Sequence, residues 1–271
     1  MQVRTLLKRD GIYKRKVTKG WKCGCGEVNI KPLLESMESK CLKCEHDFSQ
    51  MNDHFVCFDF KEIFQTVLPS LLLRTEQLTT FDDYWIKKQK QIVGAEPCDF
   101  TITLNTDGAP LFSSSNCSLW PLLCHINIGT PCLRKKNVFL LAFWVSRKNK
   151  PDFDIFLASP MEQLCELASK GLEINIPGEC KASLTDSPAT KCRIFVSSIL
   201  CDSIARPVVQ NMMQFNATYG CGYCYYQAGG HYFEHKDRMA LRSHEQHLKD
   251  CEQAMQGGSY VKFINPVFLP A

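Results

Sequence analysis

The chain has 271 residues, 45% of them hydrophobic and 22% charged, enough apolar surface for one large packed domain or two modest ones. That balance excludes a disordered tail, a collagen and a coiled coil. Sixteen cysteines stand out, and the start MQVRTLLKRDGIYKRK has no apolar core of secretory length. The expectation is therefore an intracellular protein with reduced thiols, for which metal binding is the first explanation.

The formal net charge of +4 is unevenly placed. Residues 1–22 hold eight basic side chains and one acid, +7 in all, against 24 basic and 27 acidic residues beyond them. Clustered cations displace phosphate counterions, so this basic arm points to DNA contact through Arg4, Lys8, Arg9, Lys14, Arg15 and Lys16 and to a nuclear location. The plain alternative is a solvated start with no partner. The longest strongly apolar stretch, 138–145, is too short to span a bilayer, so no membrane role is expected.

Residues 23–60 follow as a small zinc module. Cys23-x-Cys25 is separated by fifteen residues from Cys41-x-x-Cys44, and the glycines of WKCGCG favour a turn on which thiolates converge. Four cysteines in two tight pairs suit one tetrahedral zinc, with incidental thiols as the alternative. Residues 61–97 read as a helical connector, with an N-cap at Thr80 and a linker at 94–97.

From Cys98 the pattern turns to strands. DFTITLNTDG alternates and ends at Asp107, and LWPLLCHINI and KNVFLLAFWVSRK are further apolar runs. Ser159-Pro160 opens an amphipathic helix stopping near Gly171. KCRIFVSSILCD is a strand ending at Asp202, and SIARPVVQNMMQF a helix with a break or start at Pro207. The order strand-strand-strand-helix-strand-helix matches a ribonuclease-H-like mixed sheet, in which a crossover returns the fourth strand beside the first. Asp107 and Asp202 are then a candidate pair for two Mg²⁺ or Mn²⁺ ions, which activate a water or 3′-hydroxyl at phosphorus. Each acid also has a plainer role, Asp107 in a turn with Gly108 and Asp202 capping the helix after it.

NTDGAPLFSSSNCSLWPLLCHIN resembles the first catalytic block of DDE-type transposases of the CACTA/En-Spm kind, and CDSIARPVVQNMMQFNATYGCGYC resembles their second. The resemblance covers roughly residues 100–265. It implies that Asp107 and Asp202 are the first two of three catalytic acids, with transposon-end DNA as substrate. Ile204 stands where that family's motif has proline. The family continues into an acid-x-x-His segment and the third acid, so this chain reads as a C-terminally truncated, transposase-derived protein whose domain spans 98–271. The resemblance also implies a zinc-stapled insertion beginning near 221. Cys221-Gly-Tyr-Cys224 would grip the ion, and His244 and His247, one helical turn apart, are candidates to complete it. The expected cofactors are Mg²⁺ or Mn²⁺ and one or two Zn²⁺. DNA and self-association are the expected partnerships, with no small-molecule substrate. The alternatives are a non-catalytic DNA- or chromatin-binding derivative and a zinc-stabilised protein-interaction module.

Overall fold

In the computed structural model, the described residues are 17–32, 40–47, 53–75, 88, 91–96, 99–111, 117–128, 137–146, 150–175, 189–210, 212, 214, 216–217, 220–225, 240–243, 245–246 and 249–250. The strands are β1 (Val17–Lys22), β2 (Val28–Pro32), β3 (His54–Phe58), β4 (Phe100–Thr106), β5 (Ala109–Pro110), β6 (Ser118–Ile126), β7 (Val138–Ser146), β8 (Leu172–Asn175), β9 (Ala189–Cys192) and β10 (Ile194–Leu200). The helices, numbered along the chain, are α1 (Phe60–Thr75), α2 (Phe153–Ser169) and α3 (Ala205–Val209). The chain divides into two compact units, Met1–Ile199 and Leu200–Ala271.

One mixed sheet organises the first unit. Its strand order is β10-β4-β6-β7-β3-β1-β2, with β5 paired to β6. The β-branched and aromatic runs of β4, β6 and β7 form an antiparallel meander, with a bulge between Leu122 and Leu123. β10 is parallel to β4, because hydrogen-bonded partners advance together: Phe100 with Arg193, Ile102 with Ser197, Thr103 with Ser198. A parallel neighbour needs a long crossover, and α2 lies within it.

The sheet also takes in strands from the cysteine-rich start. β3 pairs antiparallel with β7 on one side and β1 on the other, and β1 continues to β2. The last six residues of the basic stretch are thus β1, and the sheet draws strands from both sides of residues 94–97.

The core lies where α2 packs on β7 and β3 of this sheet, with α1 set against α2 and β8. Trp144 of β7 is fully buried, stacked on Phe55 at 5.1 Å and meeting the Phe156 ring edge-on at 6.0 Å. Trp120 meets Phe153 at 5.6 Å in the same manner. Packing is close enough to dictate glycine at two places: a Cβ on Gly20 would come within 2.2 Å of the Phe55 ring, and one on Gly108 within 2.5 Å of Trp120.

Two expectations need correction. The helix expected to open at Ser159-Pro160 begins earlier, at Phe153, with Asp152 as its N-cap and Pro160 inside it. The aspartate cap and the burial of Phe153, Phe156 and Leu157 carry the helix back through the proline. The second is β8 and β9, a separate antiparallel hairpin absent from the expected order, in which Leu172–Asn175 alternates over four residues only.

Candidate metal centre

Two tight turns bring four cysteines together. The first joins β1 to β2: the Cys23 N–H donates to Glu27 O at 2.8 Å, and the Gly26 N–H to Cys23 O at 2.9 Å. Gly26 has φ of +91°, a backbone conformation that suits glycine. The second is closed by the antiparallel bridge between Lys40 and Asp47. There the Cys41 N–H donates to His46 O and the Glu45 N–H to Cys41 O, both at 2.8 Å. Trp21 packs on Cys23 and Cys41 beneath the turns.

The four sulfurs lie within 4.8 Å of one another. Cys23 and Cys44 are 3.4 Å apart, Cys25 and Cys41 3.7 Å. A tetrahedral ion with Zn–S bonds of ~2.3 Å requires sulfur–sulfur edges of about 3.8 Å, so the set fits. Cys23, Cys25, Cys41 and Cys44 could hold a metal ion such as zinc, and they are the one such cluster among the described residues. Four protein sulfurs leave no open coordination position, which is the pattern of a structural site.

The neighbouring sulfurs ionise unequally. The Cys25 backbone N–H favours a Cys23 thiolate, but burial and the three neighbouring sulfurs outweigh it and push Cys23 up to about 12. Cys41 goes the other way. Burial opposes its ionisation, yet the backbone N–H groups of Cys44 and Lys43 and the thiols of Cys44 and Cys25 bring it to about 7. Four negative sulfurs this close repel one another, and a divalent ion removes that penalty.

In the second unit, Cys221 and Cys224 form another tight turn with sulfurs 3.4 Å apart. Burial opposes the Cys221 thiolate, but the N–H groups of Tyr223 and Cys224 and the Arg242 charge hold its pKa below the ordinary thiol value. The Cys224–Leu241 bridge lays the following segment against this turn, and Arg242 Nε donates to Cys221 O at 3.0 Å. His244 and His247, expected to complete a zinc site here, lie outside the described residues. So do Arg4, Lys8, Arg9, Lys14, Arg15 and Lys16.

Asp107 is exposed, immediately after β4 and before Gly108. Asp202 is exposed and comes two residues after β10; its Oδ1 accepts the N–H groups of Ile204 and Ala205 at the start of α3. The capping role foreseen for Asp202 is therefore present.

Sequence reading missed the acid that fastens β4 to β10. Asp99 is 2% exposed and accepts from Arg193 N (2.7 Å), Nε (3.0 Å) and Nη2 (2.6 Å) and from Glu96 N (2.8 Å). Burial opposes its charge, but the Arg193 side chain and backbone overcome that and hold its carboxyl below the usual range. The one available signal was an acid immediately preceding a strand of otherwise uncharged residues.

The chain matches no family model and no curated protein. Among the described residues, no helix is long and apolar enough to cross a membrane.

Proposed function

We propose that the chain is a transposase-type DNA-binding protein of the nucleus, with a structural zinc centre at Cys23, Cys25, Cys41 and Cys44. In this reading Asp107 and Asp202 are acids for Mg²⁺ or Mn²⁺ in a ribonuclease-H-like sheet. The observation that carries it is the topology. A three-strand meander leads through a helix and the β8–β9 hairpin to a strand parallel to the first, and each acid follows the C-terminal end of one of those two parallel strands. The two sequence blocks around Asp107 and Asp202 support the same reading. Divalent ions bound by such acids supply Lewis-acid activation of a nucleophile at phosphorus. The chain's own contribution would be to hold the carboxylates at strand ends and to bind the phosphate backbone.

A second reading, a non-catalytic DNA- or chromatin-binding derivative, is favoured by one observation. Asp202 Oδ1 already accepts two helix N–H groups, a role complete without a metal. One experiment separates the two: duplex binding and plasmid nicking in Mg²⁺ and Mn²⁺, for the parent and for Asp107→Asn/Asp202→Asn. Nicking lost in the double variant supports the enzyme. Salt-dependent binding without nicking in either supports the derivative, and absence of DNA affinity overturns both.

A further inference from the structure

Strand register divides the side chains of the β1–β2–β3 ribbon between two faces. Directly opposed residues of antiparallel strands share a face, so Gly20 and Phe55 lie on the side that stacks on Trp144 beneath α2. Lys22 shares that side, and its ammonium meets Asp152, the N-cap of α2, at 2.6 Å.

The alternate residues share the other side. Lys19 is opposite Lys31 on β2 and Val56 on β3, and Trp21 is opposite Asn29 and His54. Toward one end this face closes over Val17 and Phe58, both buried. Toward the metal-centre end Lys19, Trp21, Asn29 and Lys31 are half-buried and His54 is exposed. The Lys19 ammonium lies over the Trp21 ring, 5.6 Å from its centroid. The three strands themselves carry no carboxylate, and at this end the nearest acids in the chain are Glu27 before β2 and Asp53 before β3. Trp21 is also held from below, packed on Cys23 and Cys41, so its ring is positioned by the metal centre.

We propose that this face binds single-stranded DNA, with a base taking the place of the Lys19 ammonium over the Trp21 ring and phosphates on Lys19 and Lys31. A flat aromatic ring beside cations is what an unstacked base and its backbone require. A duplex offers the ring no free base face. The Asn29 amide, opposite Trp21 on the neighbouring strand, adds a donor and an acceptor at the base's edge. The inference rests on the DNA-binding reading above and names a contact surface separate from the basic residues before β1.

The test uses the full chain, a labelled oligothymidylate of about twelve nucleotides and an abasic strand of equal length. The parent should prefer the strand with bases. Trp21→Ala should lower affinity for it about 5- to 100-fold and erase the preference, while Trp21→Phe keeps most of both. Lys19→Gln/Lys31→Gln should reduce the log–log salt slope by about 1.4, the value for two phosphate contacts on a single strand. Zinc content measured for every variant separates lost contact from lost fold, and Trp21→Phe and the lysine pair decide the matter if Trp21→Ala loses its metal. Equal binding of both strands by the parent overturns the proposal, as does an unchanged salt slope in the lysine variant. Displacement of the oligothymidylate by polyglutamate as effectively as by unlabelled DNA also overturns it, in favour of an acidic protein partner. If duplex binding persists while these substitutions change nothing, this face fails and the proposed function stands. If the parent binds no DNA, both fail.

Discussion

Lys22 and Asp152 meet at 2.6 Å although 130 residues separate them, and each marks an end of an element: the last residue of β1 and the N-cap of α2. The contact ties the turn bearing Cys23 to the helix that covers the sheet. Asp152 also accepts the Ile155 N–H, so one carboxylate both caps and bridges.

Asp152→Ala should therefore destabilise the fold by about 1–2 kcal/mol, chiefly through the lost cap. Lys22→Ala should cost less, since the pair is partly solvated and such pairs contribute ~0–1 kcal/mol. Denaturant unfolding of the two variants checks the order.

Acid should unfold the protein partly through Asp99. Its folded pKa lies below the unfolded one, so its stabilisation is full above the unfolded value of about 3.9 and is lost as pH falls through the folded value. Asp152, also lowered because Lys22 and backbone N–H groups outweigh burial, adds in the same direction. Asp99→Ala should cost about 2–4 kcal/mol at neutral pH and flatten the stability profile below pH ~4. Stability measured against pH for parent and variant is the check.

Removing zinc should be as damaging as removing a core residue. Metal analysis of the purified chain should show an ion that Cys41→Ser loses, with a lower Tm in the variant and in chelator-treated parent. An unaltered metal content in Cys41→Ser would remove the four-sulfur site from consideration.

Gly20→Ala should destabilise by about 1–3 kcal/mol, because its methyl group would enter the Phe55 ring that Trp144 holds in place. Gly24→Ala, with nothing within 4 Å of the added carbon, provides the comparison. Thermal melts of both variants decide it.

Gln163 of α2 joins that helix to the end of β3 and the start of α1. Its Oε1 accepts the Phe60 N–H at 2.9 Å, capping α1, and its Nε2 donates to Phe58 O at 3.0 Å and approaches Cys57 Sγ at 3.3 Å. Gln163→Ala should cost about 1–3 kcal/mol by leaving those backbone groups unpaired, readable as faster amide exchange at Phe60.

Much of the sheet was legible in the sequence because its strands are long and apolar. DFTITLNT, LWPLLCHI and VFLLAFWVS announce themselves by composition and length. The four-residue strands β8 and β9 carry too few positions for a period to show. The beginning of α2 was hidden because proline ordinarily marks a first turn, whereas here burial of three residues before it outweighs one missing N–H. The four-sulfur cluster was legible from spacing alone, since tight pairs of cysteines determine local turns. What spacing could not convey is that β1, beside those turns, continues the main sheet through β3, a relation set by pairing across more than eighty residues.

The position of β2 gives the metal centre one more consequence. As the outermost strand it leaves a row of backbone donors and acceptors without a neighbour among the described strands, and Lys31 and Pro32 are residues that discourage pairing there. The cysteine turns hold this strand in its twisted hairpin. Stripped of its ion, the hairpin would lose that restraint and present a template to a second chain. An ion held by the four sulfurs would thus also restrain the outermost strand against pairing with another chain.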